Sequence, residues 1–174
     1  FTSLPLNESN PSFTLGVSDN FELMVIVNVM NGNVEGLENR ISDPRFSPDR
    51  ILTVNSKQMT YIDLVVEQRL NLLPRLATPE SLLEVSEVFL KHGVKPTQTS
   101  LRMAVQYGDN DLFDLLVKYN AILHGYVLVD AYMLWLSSGK QDFKDIFHKI
   151  SSKGIAFPEE LKFLIHIPIN FFHQ

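Results

Sequence analysis

The feature that most constrains this chain is a recurring pattern of two short apolar helices joined by a glycine-containing turn. Two copies are clear, at residues 101–119 and 127–150, and their turn glycines Gly108 and Gly139 lie 31 residues apart. Isolated helices shorter than about 12 to 15 residues are marginal in water, so each one must be stabilised by packing on its neighbours. The pattern predicts an all-α fold of stacked antiparallel helix pairs.

Two further helix pairs are predicted before these copies. Their helices are expected over 21–30 and 33–41, and over 60–69 and 82–92. Asp19 is expected to cap the first of these helices. The second pair carries an insertion at 71–81, where Pro74 and Pro79 replace a tight turn. We interpret it either as a contact loop or as padding, because surface loop length costs little stability.

The two ends of the chain depart from the pattern. Residues 1–18 have no sustained period and predict an irregular lead-in, which leaves 19–156 for the repeats. Residues 157–174 predict a C-terminal capping helix, with Pro158 early in it, and an apolar tail at 167–172.

The clearest copy resembles an ankyrin repeat. That family's pattern runs Thr-Pro-Leu-His, two small residues, Gly, an acidic-apolar pair, and three apolar residues before Gly-Ala. This chain matches it with Thr99-Ser100-Leu101-Arg102, Ala104-Val105, Gly108, Asp111-Leu112, Leu115-Leu116-Val117 and Asn120-Ala121. The resemblance covers about residues 20–155. This chain departs from the family pattern in two ways: Pro-Leu-His is never complete, and the residues that normally form a projecting β-turn finger are missing between Pro96 and Thr99. Another helical-hairpin repeat is the alternative.

The resemblance implies an ankyrin-like solenoid that binds another protein or peptide along a concave surface formed by the first helix of each pair. Exposed positions on those helices would make the contacts. Carried over to this sequence, the partner-binding positions are Leu64, Glu67, Gln68, Met103, Gln106 and Tyr107. For Met103 and Leu64, the alternative is packing between adjacent repeats.

Composition narrows the class of partner and the compartment. The chain has 15 Lys and Arg against 20 Asp and Glu, a net charge of -5, and its cations are scattered. This argues against nucleic acid and favours a basic or mixed-charge partner. The best apolar run, residues 23–29, is interrupted by Asn28 and is too short to span a membrane. The absence of cysteine excludes disulfides and thiolate metal sites. We predict a soluble protein, cytoplasmic or otherwise intracellular.

The sequence carries no familiar catalytic motif. It has no phosphate-binding glycine loop, no nucleophile elbow and no pair of histidines four residues apart, so we expect no enzyme activity, cofactor or metal. An enzymatic alternative would use Asp130, Asp142 and His148. The large side chains of the helix at 127–136 are predicted to lie in the core: Tyr132, Met133 and Trp135.

A second functional hypothesis concerns a longer protein. The chain begins at Phe1 without a basic and apolar signal segment, so we expect it to be an excised region. Together with the apolar C-terminal end, this suggests a targeting domain of a larger enzyme or of a secreted bacterial or viral effector. In the effector case, the compartment would be the host cytosol.

Overall fold

The computed structural model describes residues 2–4, 13–16 and 20–166. This part of the chain is mainly helical, as predicted, and it also contains four short strands. The elements are β1 Thr2–Leu4, β2 Phe13–Gly16, α1 Asn20–Asn31, α2 Val34–Ile41, β3 Leu52–Val54, β4 Lys57–Met59, α3 Tyr61–Arg69, α4 Pro79–Lys91, α5 Gln98–Gln106, α6 Asn110–Lys118, α7 Gly125–Ser138, α8 Gln141–Ser151 and a 3₁₀ helix Glu159–His166. The chain forms two compact units, Phe1–Ser100 and Leu101–Gln174.

The same turn chemistry ends one helix and starts the next in two of the pairs. Gly32 and Gly108 have φ of 64° and 63°, the left-handed conformation that glycine adopts without steric cost. The N–H of the following residue, Asn33 or Asp109, donates to a carbonyl five residues back at 2.9 Å, which is the longer bond of a Schellman motif. The side chains of Asn33 and Asp109 then cap α2 and α6. A two-residue signal in the sequence thus fixes both helix ends.

These turns also determine packing within each unit. A Cβ added to Gly32 would lie 2.8 Å from the Cβ of Ala77, just before α4, and one added to Gly108 would lie 3.0 Å from the Cβ of Asp142 on α8. In the first unit α2 packs on α4, and in the second α6 packs on α8. The ammonium group of Lys149 on α8 also contacts Asn110 and Asp114 on α6.

The first unit contains a small antiparallel sheet that we did not predict. Its strand order is β1-β2-β3-β4, with Leu15 paired to Val54 across the middle. Residues 1–18 were expected to be irregular, yet β1 and β2 both fall there. The β3–β4 hairpin turns through Asn55 and Ser56, which have φ of 50° and 66°. Strands of three or four residues are too short to show the alternation of apolar and polar residues that identifies a strand in sequence.

The predicted insertion is an ordered connection between α3 and α4. Asn71 takes the left-handed conformation at the end of α3, and α4 begins at Pro79, three residues earlier than predicted. Arg69 donates to the carbonyl of Pro79 at 2.6 Å, and Arg75 donates to the carbonyl of Arg69 at 2.7 Å. Leu72 is one of the exposed apolar side chains on this loop.

The predicted capping helix is a 3₁₀ helix, Glu159–His166. The ring of Phe157, just before it, packs on Tyr132 at a centroid distance of 5.3 Å. The Tyr126 hydroxyl donates to Glu160, which joins this segment to α7. That hydrogen bond lowers the pKa of the Glu160 carboxyl and raises the pKa of Tyr126. Two predictions lie outside the described residues: the cap at Asp19 and the apolar tail at 167–172.

Candidate functional site

The structure corrects the exposure expected at four of the six predicted partner-binding positions. The buried ones are Leu64, Glu67, Gln68 and Met103. Gln106 and Tyr107 are exposed, and about half of the Tyr107 surface is accessible. The predicted binding role therefore has an accessible side chain only at the C-terminal end of α5.

Helix α3 is buried because neighbouring segments of the first unit surround it. Lys57 on β4 reaches Glu67 at 3.1 Å, and the Gln68 amide donates to the carbonyl of Pro74 at 3.3 Å. The hydroxyl of Thr97 donates to Asp63 from a further side. The polar side chains of α3 thus form buried contacts with neighbouring segments. Helical periodicity alone cannot distinguish such buried polar residues from residues that bind a partner.

Met103 is buried because of its position around α5. Arg102 and Gln106 are four residues apart, so they share one exposed face of the helix. Met103 is turned by about 100° from Arg102 and faces the core together with Ala104 and Val105. The structure therefore supports the packing alternative for Met103.

A groove of about 310 Å³ runs between α5 and α7 in the second unit. Gln106 lines it from α5, and four residues line it from α7: Asp130, Met133, Leu134 and Ser137. These four occupy positions i, i+3, i+4 and i+7, which form one stripe along a helix. Gln106, which the resemblance suggested, thus lies in a concave site whose α7 residues were not predicted to bind a partner.

Met133 was predicted to lie in the core, and the structure corrects this prediction. Its side chain is 38% exposed, whereas Tyr132 beside it is buried. The signal in the sequence was the spacing of Asp130 and Ser137, two polar residues that lie seven positions apart on one face of a largely apolar helix. They mark the solvent-facing stripe on which Met133 lies between them.

One ion pair crosses the groove. Nε of Arg102 lies 3.6 Å from Oδ2 of Asp130, which is within ion-pair range but too long for a hydrogen bond. The Arg102 side chain is 56% exposed and that of Asp130 is 33% exposed. A pair this accessible contributes little to stability.

The opposite side of α7 packs on α8 through aromatic side chains. The ring of Tyr132 lies 5.3 Å from that of Phe147 on α8, and Trp135 lies 5.5 Å from the same ring. The ammonium group of Lys149 on α8 contacts Asn110 at 2.9 Å and Asp114 at 3.0 Å, both on α6. A preorganised scaffold lowers the entropy lost when a partner binds.

The three residues of the enzymatic alternative are not assembled into one site. Asp130 pairs with Arg102, and the His148 ring packs against Trp135 at 5.6 Å. Asp142 is exposed at the start of α8. In the described part of the chain, no hydrogen bond or ion pair links any two of these three side chains.

Among residues 2–4, 13–16 and 20–166, no group of three or more His, Asp and Glu side chains is placed to hold a metal ion. None of the helices in these ranges is both long enough and apolar enough to cross a membrane.

Comparisons with known proteins gave no relative. A scan against protein-family models, a search of curated proteins and a search of solved structures each found no match.

Proposed function

We propose that this chain is a protein-interaction module that binds a protein or peptide partner in the α5–α7 groove. The observation that carries the proposal is the apolar stripe of α7, Met133 and Leu134, open to solvent within a concave site. We further propose that the helix pairs are degenerate ankyrin-like repeats stacked as a solenoid. The repeated Gly-Asn and Gly-Asp turns support this idea.

The composition of α7 supports a binding role for this stripe. One side of the helix is buried through residues such as Val127, Ala131 and Leu136. Asp130 is its only charged residue, so most of the opposite side is also uncharged. A surface helix normally carries charged and polar residues on its solvent-facing side. An exposed apolar stripe within a concave site is the usual mark of a site for a partner.

The groove also has the polar rim that a specific interface needs. Gln106 offers both an amide donor and an acceptor, and Ser137 offers a hydroxyl at the other side. Tyr107 does not line the groove, but it directly follows Gln106 and is an exposed aromatic side chain of the kind enriched at binding hot spots. An apolar centre surrounded by such groups is the ordinary anatomy of a protein interface.

The test compares substitutions of two methionines whose side chains are equally exposed, one inside the groove and one outside it. Met133→Gln removes the apolar contact from the groove without adding charge, and Met24→Gln does the same on α1, where Met24 is 37% exposed. Partners captured with the wild-type chain are purified and titrated against both variants by calorimetry. We expect Met133→Gln to weaken binding by about 1–2 kcal/mol, since most of a methionine side chain would be covered in the complex.

Circular dichroism should show equal helix content in both variants, because each change is at an exposed helical position. Tyr107→Ala provides a second, independent loss of contact at the end of α5. Equal affinity of a purified partner for the Met133→Gln and Met24→Gln variants would place the binding surface outside the groove and contradict the proposal.

A further inference from the structure

The carboxylate of Asp130 stands out among the groups that line the groove. It is the only charge on α7, and it lies beside the apolar side chains of Met133 and Leu134. Among the described residues it accepts no side-chain hydrogen bond, and its single ion pair is the 3.6 Å contact with Arg102. A half-buried carboxylate without a donor is costly to desolvate further, so a partner that covers it must supply one.

Resting on the proposed function, we infer that the groove takes a peptide segment that places a lysine or arginine on Asp130 and an apolar side chain on Met133 and Leu134. A partner of the opposite charge, which would place a carboxylate on Arg102, fits the groove less well. Arg102 is more than half exposed and does not line the groove, whereas Asp130 does.

The spacing of the two contacts follows from the helix geometry of α7. Met133 and Leu134 lie three and four residues after Asp130, which is about 4.5–6 Å along the helix axis at 1.5 Å per residue. The cation and the apolar side chain of the partner must span the same distance. On a helical partner this corresponds to residues three or four positions apart.

Arg102 becomes a competitor in this arrangement. It occupies one oxygen of Asp130 in the free protein, and the incoming cation replaces it. Removing Arg102 therefore frees the carboxylate for the partner. Substituting Asp130 and substituting Arg102 should therefore change the affinity for the partner in opposite directions.

The experiment uses short random peptides displayed on phage, selected on the whole chain and counter-selected on the Met133→Gln variant. Enriched peptides are synthesised with a fluorescent label and titrated by anisotropy against the wild-type chain, Asp130→Asn and Arg102→Gln. In the enriched peptides we expect a lysine or arginine three or four residues from an apolar residue. Asp130→Asn should weaken binding about tenfold, and Arg102→Gln should leave it unchanged or tighten it. Raised salt should weaken binding to the wild-type chain more than to Asp130→Asn.

Three results would count against the inference, and they separate it from the proposed function. Enriched peptides that are acidic or uncharged, or that bind Asp130→Asn as tightly as the wild type, overturn the assignment of a cationic partner while the groove remains a binding site. Weaker binding by Arg102→Gln with no effect of Asp130→Asn overturns it in favour of an acidic partner. Failure to select any peptide that distinguishes the wild type from Met133→Gln overturns both proposals.

Discussion

Replacing Gly108 with alanine tests whether the α5–α6 turn is pressed against α8. Two costs add at this position. The φ of 63° imposes left-handed strain on any side chain, about 1–2 kcal/mol. The new Cβ would also lie 3.0 Å from the Cβ of Asp142 and 3.4 Å from the Phe143 ring, so α8 must shift, which costs about 1 kcal/mol or more.

Gly154→Ala provides the matched control in the same unit. Gly154 also has a left-handed conformation, with φ of 82°, but a Cβ there meets nothing within 4 Å. Its replacement should therefore show the strain without the steric contact. We expect a loss of about 1–2 kcal/mol for Gly154→Ala and about 2–3 kcal/mol for Gly108→Ala.

The chain has its own reporter for this measurement. Trp135 is the only tryptophan, and it lies in the aromatic cluster of the second unit. Urea unfolding followed by its fluorescence gives the free energy of unfolding from the midpoint and the slope, and the variants should share one slope. Equal losses for Gly108→Ala and Gly154→Ala would refute the reasoning, because the contact with α8 would then contribute nothing.

Two further predictions concern polar contacts in the second unit. Lys149→Met removes the contacts to Asn110 and Asp114, which are partly exposed, so the free energy of unfolding should fall by less than about 1 kcal/mol, and by less still in high salt; a large loss that salt does not change would contradict this. Tyr126→Phe removes the hydroxyl that lowers the pKa of Glu160, so NMR titration should show that pKa rising toward its ordinary value. In the wild type, the lowered pKa of Glu160 means that its hydrogen bond contributes to stability above pH 4.5, and this contribution is lost as the pH falls through the folded-state pKa. An unchanged Glu160 titration in the variant would contradict the hydrogen bond.

The helices themselves could be read from the sequence because their ends depend on local chemistry. Gly32, Gly108 and Gly139 all take the left-handed conformation that a helix C-terminus favours, and each ends a predicted helix. Thr60 and Asp109 cap helices α3 and α6 through their own side chains. None of these interactions reaches beyond a few residues, so no knowledge of the fold was needed.

The candidate site could be predicted only in part. The resemblance pointed to Gln106 and Tyr107, which are exposed, but it also pointed to Leu64 and Gln68, which are fully buried. Of the α7 residues that line the groove, Met133 was predicted as core, and Asp130 was named only in the enzymatic alternative. Periodicity shows which residues share a face of a helix, and it does not show which face another segment will cover.

The sequence by itself determined the number of helices in the 20–151 region, their approximate ends and their pairing through short turns, because capping and left-handed conformations are set by neighbouring residues. Only the tertiary structure decided that α3 is enclosed on every side, that strands as short as Leu52–Val54 pair into a sheet, and that α7 keeps an apolar stripe open beside α5. These outcomes depend on contacts between residues far apart in sequence. Their free energy comes from the water excluded between the surfaces that meet, so it does not exist until the chain has folded.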